Sequence, residues 1–395
     1  MRFGFSILIA ALLLAACERH DATALDQQLY VWQRQWTPTH DAALRDSRER
    51  FSTLRVLALQ AFPNDGWHRA RIDAPLLKRD GRPLIAVIRL DGQLKGLDQA
   101  QVTDRILQVV ADWQAQGLTL SGVEIDHDAG NARLAQYTEF LAHLRSALPA
   151  ALPLSITALP AWLGSPQLPA LLTSVDSSVL QVHAVSDPRR GLFDPEQARR
   201  WASDWGKISS KPFYLALPAY GVALLPDVDG APVVESEVPL ERDGQRRELL
   251  ADPLQLSQLA KELREDPPEH LAGLIWFRLP LPNDRRAWSL TTLRAVAGGD
   301  ALHSRLDLSF SEHDGLYDIH LANPGNLDAV WPAQLRVKAS GCEGADALAG
   351  YSLQQSADLL TFTRLRDGRL PAGGQCAIGW ARCAFIDQGG SHVDP

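Results

Sequence analysis

The segment Gly122-Val123-Glu124-Ile125-Asp126-His127-Asp128-Ala129-Gly130 sets three carboxylates at every second position. Successive side chains of an extended strand point to opposite faces, so Gly122, Glu124, Asp126 and Asp128 share one face and Val123 and Ile125 take the other. Burying carboxylates without partners costs on the order of several kcal/mol each, so a purely structural role would require basic or hydrogen-bonding groups opposite them. Neighbouring acids also raise one another's pKa, which is how a site keeps one carboxyl protonated beside an ionised one. That arrangement serves general acid catalysis.

Other segments carry polar and aromatic residues in the same strand rhythm. Gln181 and His183 share a face in Leu180-Gln181-Val182-His183, and Trp276 and Arg278 share one in Leu274-Ile275-Trp276-Phe277-Arg278. Tyr214 and Tyr220 have common parity, as do Trp32, Arg34 and Trp36, while Arg89 and Asp91 stand near the end of another apolar run. Brought together, these residues would line a polar cleft with aromatic walls, the kind of surface on which sugar rings stack. The candidate catalytic residues are therefore Asp128, Asp126 and Glu124. The candidate substrate-binding residues are Gln181, His183, Trp276, Arg278, Tyr214, Tyr220, Trp32 and Arg34.

Positioning them requires elements from distant parts of the chain. Eight apolar segments suited to doubly buried strands occur at 29–36, 54–62, 84–90, 121–126, 154–159, 179–184, 213–218 and 273–279. Helical periodicity follows most of them, clearest over 98–116, 131–148, 195–205, 253–265 and 284–297, with Asp98 and Asn131 as N-caps and Gly117 as a C-cap glycine. Eight β/α units predict an α/β fold, a (β/α)8 TIM barrel over residues 27–298, in preference to a doubly wound open sheet. No Gly-rich phosphate turn follows the first strand, and nothing calls for a nucleotide or other cofactor. In a barrel the strand ends form the reactive face, so Asp128 is expected at the cleft surface, Asp126 below it and Glu124 deepest. Residues 221–251 are too long for an ordinary βα loop, and the alternating run at 231–238 predicts a hairpin flap. After Gly298-Gly299, short alternating segments over 303–395 predict a small C-terminal all-β domain, a sandwich.

The chain has 395 residues, 46% of them hydrophobic, enough to bury a large core. A net charge of −8 with scattered basic residues argues against nucleic acid as a partner. Residues 1–17 read as an export signal: Arg2, an apolar run too short to span a bilayer, then Leu14-Ala15-Ala16-Cys17. This last segment resembles the bacterial lipobox, which implies lipidation of Cys17 and a membrane-held protein with residues 18–26 as a polar tether. Glu18 resembles the residue that follows the cysteine in lipoproteins sent to the outer membrane, which implies its periplasmic face. Of Cys342, Cys376 and Cys383, one disulfide is expected, from Cys342 to either of the others. Three scattered thiols without a nearby His do not make a metal site.

The acidic segment is similar to the fourth-strand motif of family 18 glycoside hydrolases, Asp-Gly-x-Asp-x-Asp-x-Glu. Ser121 stands at its first Asp, Glu124 and Asp126 at the next two, and Asp128 at the catalytic Glu. The resemblance implies a proton-donating Asp128 and an Asp126 that positions an acetamido group acting as internal nucleophile, with Asp128 one methylene short. More of the chain resembles the bacterial family of unknown function numbered 3142, through Leu29-Tyr-Val-Trp-Gln-Arg-Gln-Trp36, Gly122-Val-Glu-Ile-Asp-His-Asp128, Leu154-Ser-Ile-Thr-Ala-Leu-Pro160 and Leu180-Gln-Val-His-Ala184. That implies a glycosidase-like barrel without an established activity. Three functions follow: a membrane-anchored hydrolase of an envelope or exopolysaccharide glycan, an inactive barrel that binds glycan or an envelope protein, or a cation-dependent hydrolase in which His127 or His183 joins the acids.

Overall fold

The computed structural model describes residues 24–94, 96, 98–182, 191–225, 233–235, 247–282, 284 and 286–394. Eight parallel strands close on themselves: β1 (Asp26–Val31), β2 (Thr53–Phe62), β4 (Leu84–Leu90), β5 (Leu120–His127), β6 (Leu154–Ala158), β7 (Ser177–Gln181), β8 (Phe213–Pro218) and β12 (Leu271–Phe277). Each pairs with its neighbour in chain order, and β1 pairs with both β2 and β12 to complete the barrel. The short β3 (Gly66–Arg69) folds back antiparallel on β2.

Helices pack outside, and their starts are written in the chain. Asp98 caps α3 (Gln99–Ala115) by accepting from the Gln101 amide, and Val102, Ile106, Val109, Val110 and Trp113 form its buried stripe. Gly117, at φ 80°, ends it in a conformation that a side chain would disfavour. The Asp-Pro pairs 194–195 and 252–253 put a capping carboxylate and a first-turn proline at the heads of α6 (Pro195–Ile208) and α7 (Pro253–Glu265). Asn131 is not the cap of the helix after β5. It begins a single 3-10 turn, Asn131–Arg133, and α4 (Leu134–Ala147) starts beyond it. The helices α1 (Thr39–Ser47), α2 (Ala74–Asp80) and α5 (Leu168–Thr173) complete the units that sequence periodicity leaves unassigned, and α8 (Leu290–Gly298) is shorter than the 284–297 expectation.

The expected first strand, 29–36, ends instead at Val31, where the chain leaves the sheet. Its continuation is tied to Arg71, whose amide donates to the Arg34 carbonyl at 2.7 Å. The 221–251 segment is more than a hairpin: β9 (Gly221–Leu225) is the centre of a three-stranded antiparallel sheet with β10 (Val233–Glu235) and β11 (Arg247–Leu250).

The C-terminal part has its own buried core around Ile319, Leu335, Phe362 and Ile378. Six of its strands form one hydrogen-bonded sheet, and Ala329–Val330 pairs with Arg369–Leu370 as a separate two-stranded ladder, in place of the two facing sheets expected of a sandwich. Strands of 14 residues (Gln334–Ala347) and 20 residues (Gln375–Asp394) run through the larger sheet and pair with each other along most of their length, with register shifts at Arg336/Lys338 and Cys342/Gly344. Cys342 and Cys383 are directly opposed in these two strands and form the disulfide, which leaves Cys376 free. Asp328 joins this part to the barrel. It accepts from the amide of Ser289, the hydroxyl of Thr292 and the amide of Ala372, at 2.8, 3.0 and 2.8 Å.

Candidate active site

The acids of β5 sit at two depths. Glu124 is fully buried and accepts hydrogen bonds from Tyr30 Oη at 2.6 Å and from Arg55 Nη1. Arg55 is itself buried, donates to Gln28 Oε1 at 2.8 Å, and lies 5.2 Å from the centre of the Tyr214 ring. Burial pushes the Glu124 pKa up, against the opposing pull of Arg55. Thus the deepest acid has the partners that burial demands, and it braces the barrel floor.

The upper acids share one cation. Arg89, at the end of β4, donates from Nη1 to Asp126 Oδ2 at 2.8 Å and from Nη2 to Asp128 Oδ2 at 2.7 Å. Burial works to lower the Arg89 pKa, but the two carboxylates outweigh it and hold the guanidinium charged. Asp126 Oδ1 also accepts from Thr157 Oγ1 at 2.6 Å and Gln181 Nε2 at 3.1 Å, so its orientation is fixed from three strands. Asp128 has no such cage. Its side chain is 33% exposed, and its Oδ1, shielded from water, has no hydrogen-bond partner among the described residues. Burial raises the Asp128 pKa and Arg89 pulls it down, with the net direction upward.

Above these groups opens a pocket of about 370 Å³ at the C-terminal ends of the strands, within the range of small-molecule sites. Tyr30, Trp32, Phe62, Tyr220 and Phe277 form aromatic walls, and Arg34, Gln60, Arg89, Asp126, Asp128, Thr157, Gln181 and Arg278 supply polar groups. Phe277 packs edge-on against Trp32 and Tyr220, with ring centres 5.1 and 5.4 Å apart. Arg278 donates to Asp284 at 2.7 Å.

Two residues expected in the cleft lie elsewhere. Trp276 is fully buried on the helix side of β12, donates to Gln27 Oε1 at 2.8 Å and packs on Trp288. Both faces of β12 are apolar, so alternation did not reveal which faces inward; Ile275 and Phe277 do. Tyr214 does face inward, but below the pocket, beside Arg55 at the N-terminal end of β8. His183 and Cys17 lie outside the described residues. His127 points toward the helices, with Nδ1 2.9 Å from the Leu90 carbonyl oxygen and its ring edge-on to Tyr137, so it cannot join the acids.

Nothing in the sequence marks Gln60 and Phe62 as pocket residues. A β-bulge between Leu57 and Leu59 shifts the register of β2, so Arg55 and Gln60 face inward although their parities differ. Tyr30, Arg55 and Thr157 were foreshadowed only by the demand of buried acids for partners.

The closed parallel barrel with helices between its strands is a TIM barrel, and it carries paired acids at the end of its fourth strand. The chain belongs to the family described as Domain of unknown function (DUF3142), whose model matches residues 80–282. Residues 306–384 match a second such family, DUF8456. Among solved structures, the spore cortex-lytic enzyme SleL of Bacillus cereus is similar at 13% identity and TM-score 0.52, over 70% of this chain and 74% of that one. A chitinase from Bacteroides thetaiotaomicron gives 11% and 0.51 over 71% and 98%, and one from Chromobacterium violaceum 14% and 0.50 over 70% and 98%. At these identities the likeness concerns the fold. No curated protein matches the sequence.

Proposed function

We propose that the chain is a hydrolase of a glycan containing 2-acetamido sugars, with Asp128 as the general acid and Asp126 as the group that orients the acetamido substituent. The observation that carries this reading is the inequality of the two acids: Asp126 is held by Thr157, Gln181 and Arg89, whereas Asp128 keeps one oxygen unpartnered and a raised pKa. One carboxyl fixed and one able to carry a proton is the division of labour that acid-catalysed glycoside cleavage needs. The pocket is lined by no acid other than these two among the described residues. A separate carboxylate nucleophile would stand about 5 Å from the acid, across the scissile bond, so a substrate that supplies its own nucleophile suits this site better.

The test is product release from chitin oligosaccharides, poly-N-acetylglucosamine and peptidoglycan fragments, followed by mass spectrometry. Wild-type protein cleaves at least one of them, and Asp128→Asn lowers the rate by roughly 10² to 10⁴-fold. Equal rates in wild type, Asp128→Asn and Asp126→Asn would end the assignment. A second reading, saccharide binding without cleavage, is favoured by one feature: the Arg89 bridge stabilises Asp128 in its ionised form. Binding of these saccharides by calorimetry with no product would decide for it.

On the same proposal the protein works at the periplasmic face of the outer membrane, on envelope or exopolysaccharide glycan, held by lipid on Cys17. Support comes from Arg2, the apolar run, Leu14-Ala15-Ala16-Cys17 and Glu18. No helix among the described residues is long and apolar enough to cross a membrane. Cys17→Ser is expected to move the protein from the membrane fraction to the soluble one, and retention at the membrane would refute the anchor.

A further inference from the structure

One wall of the pocket is built to hold something that the acids do not explain. Gln60 is 5% exposed, lines the pocket, and its Oε1 has no hydrogen-bond partner among the described residues, a loss that a ligand's donor would make good. Two residues along β2, Phe62 lies under the guanidinium of Arg34, whose centre is 5.2 Å from the ring. The other pocket arginines are engaged by carboxylates, Arg89 by Asp126 and Asp128 and Arg278 by Asp284. Arg34 has no carboxylate partner among the described residues; its guanidinium sits over the Phe62 ring, which leaves its nitrogens for a ligand.

We propose that Arg34 and Gln60 form a subsite for a carboxylate-bearing sugar, so that the glycan bound here is acidic. The proposal rests on the glycan reading given above and adds the charge of the substrate. A stacked guanidinium offers a planar pair of donors that matches a carboxylate, and the neighbouring amide supplies a donor to the anion and an acceptor for an adjacent hydroxyl.

The test uses the full chain and three pairs of oligosaccharides, glucuronate-containing, mannuronate-containing and muramyl-containing, each compared by calorimetry with its carboxyl-reduced counterpart. At least one acidic member is expected to bind about tenfold or more tightly than its reduced partner, a preference that weakens with added salt. Arg34→Gln abolishes the preference, and Arg34→Lys, which keeps the charge and loses the planar fork, retains only part of it. Arg34 is exposed, so neither change threatens folding. Equal binding of acidic and reduced members overturns the acidic subsite and leaves the glycan reading standing. Failure of every member, acidic and neutral, overturns the acidic subsite, while cleavage of chitin oligosaccharides or poly-N-acetylglucosamine decides the glycan reading separately. A preference that survives Arg34→Gln also removes the assignment.

Discussion

The two upper acids differ by their neighbours and not by their chemistry. Arg89 touches both, so its removal reports on each. In Arg89→Met the group that pulls the Asp128 pKa down is lost, and the pKa rises further. A general acid works while protonated, so activity falls as pH rises through its pKa; the alkaline limb of the kcat/KM profile should therefore move to higher pH in Arg89→Met. An unmoved limb would mean that Asp128 is not the proton donor. Glu124 belongs to another category. Arg55→Met leaves a buried carboxylate without its cation, at an expected cost of about 3 to 5 kcal/mol in a urea melt, far above that of a surface arginine. The acids themselves could be read in the sequence because charge at alternate positions of an apolar strand is costly and therefore informative. Of their partners only Arg89 stands out, at the end of an apolar run; Arg55 and Thr157 come from two other strands and nothing local announces whom they meet.

Strands were easier to find than their faces. All eight barrel strands show as apolar runs, because burial on both sides leaves few polar interruptions. That same property hides orientation, as Trp276 illustrates: it packs against Trp288 on the helix side and the pocket wall falls to Phe277. On β2 the bulge breaks the parity argument outright, and with it any sequence-based route to Gln60. The short helices α1, α2 and α5, of 9, 7 and 6 residues, offer too few turns for a periodic signal. Closure of the barrel depends on a bare backbone at Gly273, where an added Cβ would fall 2.3 Å from the Asp26 carbonyl oxygen. Gly273→Ala should force β1 and β12 apart and lower stability by about 1 to 3 kcal/mol, as the shift of the urea midpoint would show. An unshifted midpoint would mean that the seam is slack.

At the scale of the whole molecule, barrel and β-sheet are two cores joined through a polar knot. Asp328 bonds the head of α8 and the Ala372 amide together, so Asp328→Ala removes ties to both sides. Calorimetry is expected to resolve two unfolding transitions in that variant where the parent shows closer coupling, with a loss of about 2 kcal/mol at the junction. The disulfide lies wholly inside the C-terminal sheet, so reduction should lower only the transition of that part.

The pairing of β1 with β12 also sets a timetable for assembly. Asp26 meets Gly273, so the strand made first has its second neighbour among the last barrel residues to be made. Until then one edge of β1 offers unpaired amides and carbonyls to any strand nearby, and the nascent barrel is an open, twisted ribbon exposed to wrong partners. The order of synthesis therefore leaves the final seam to the end, and a chain stopped short of residue 271 has every acid of the pocket yet no ring to hold them in place.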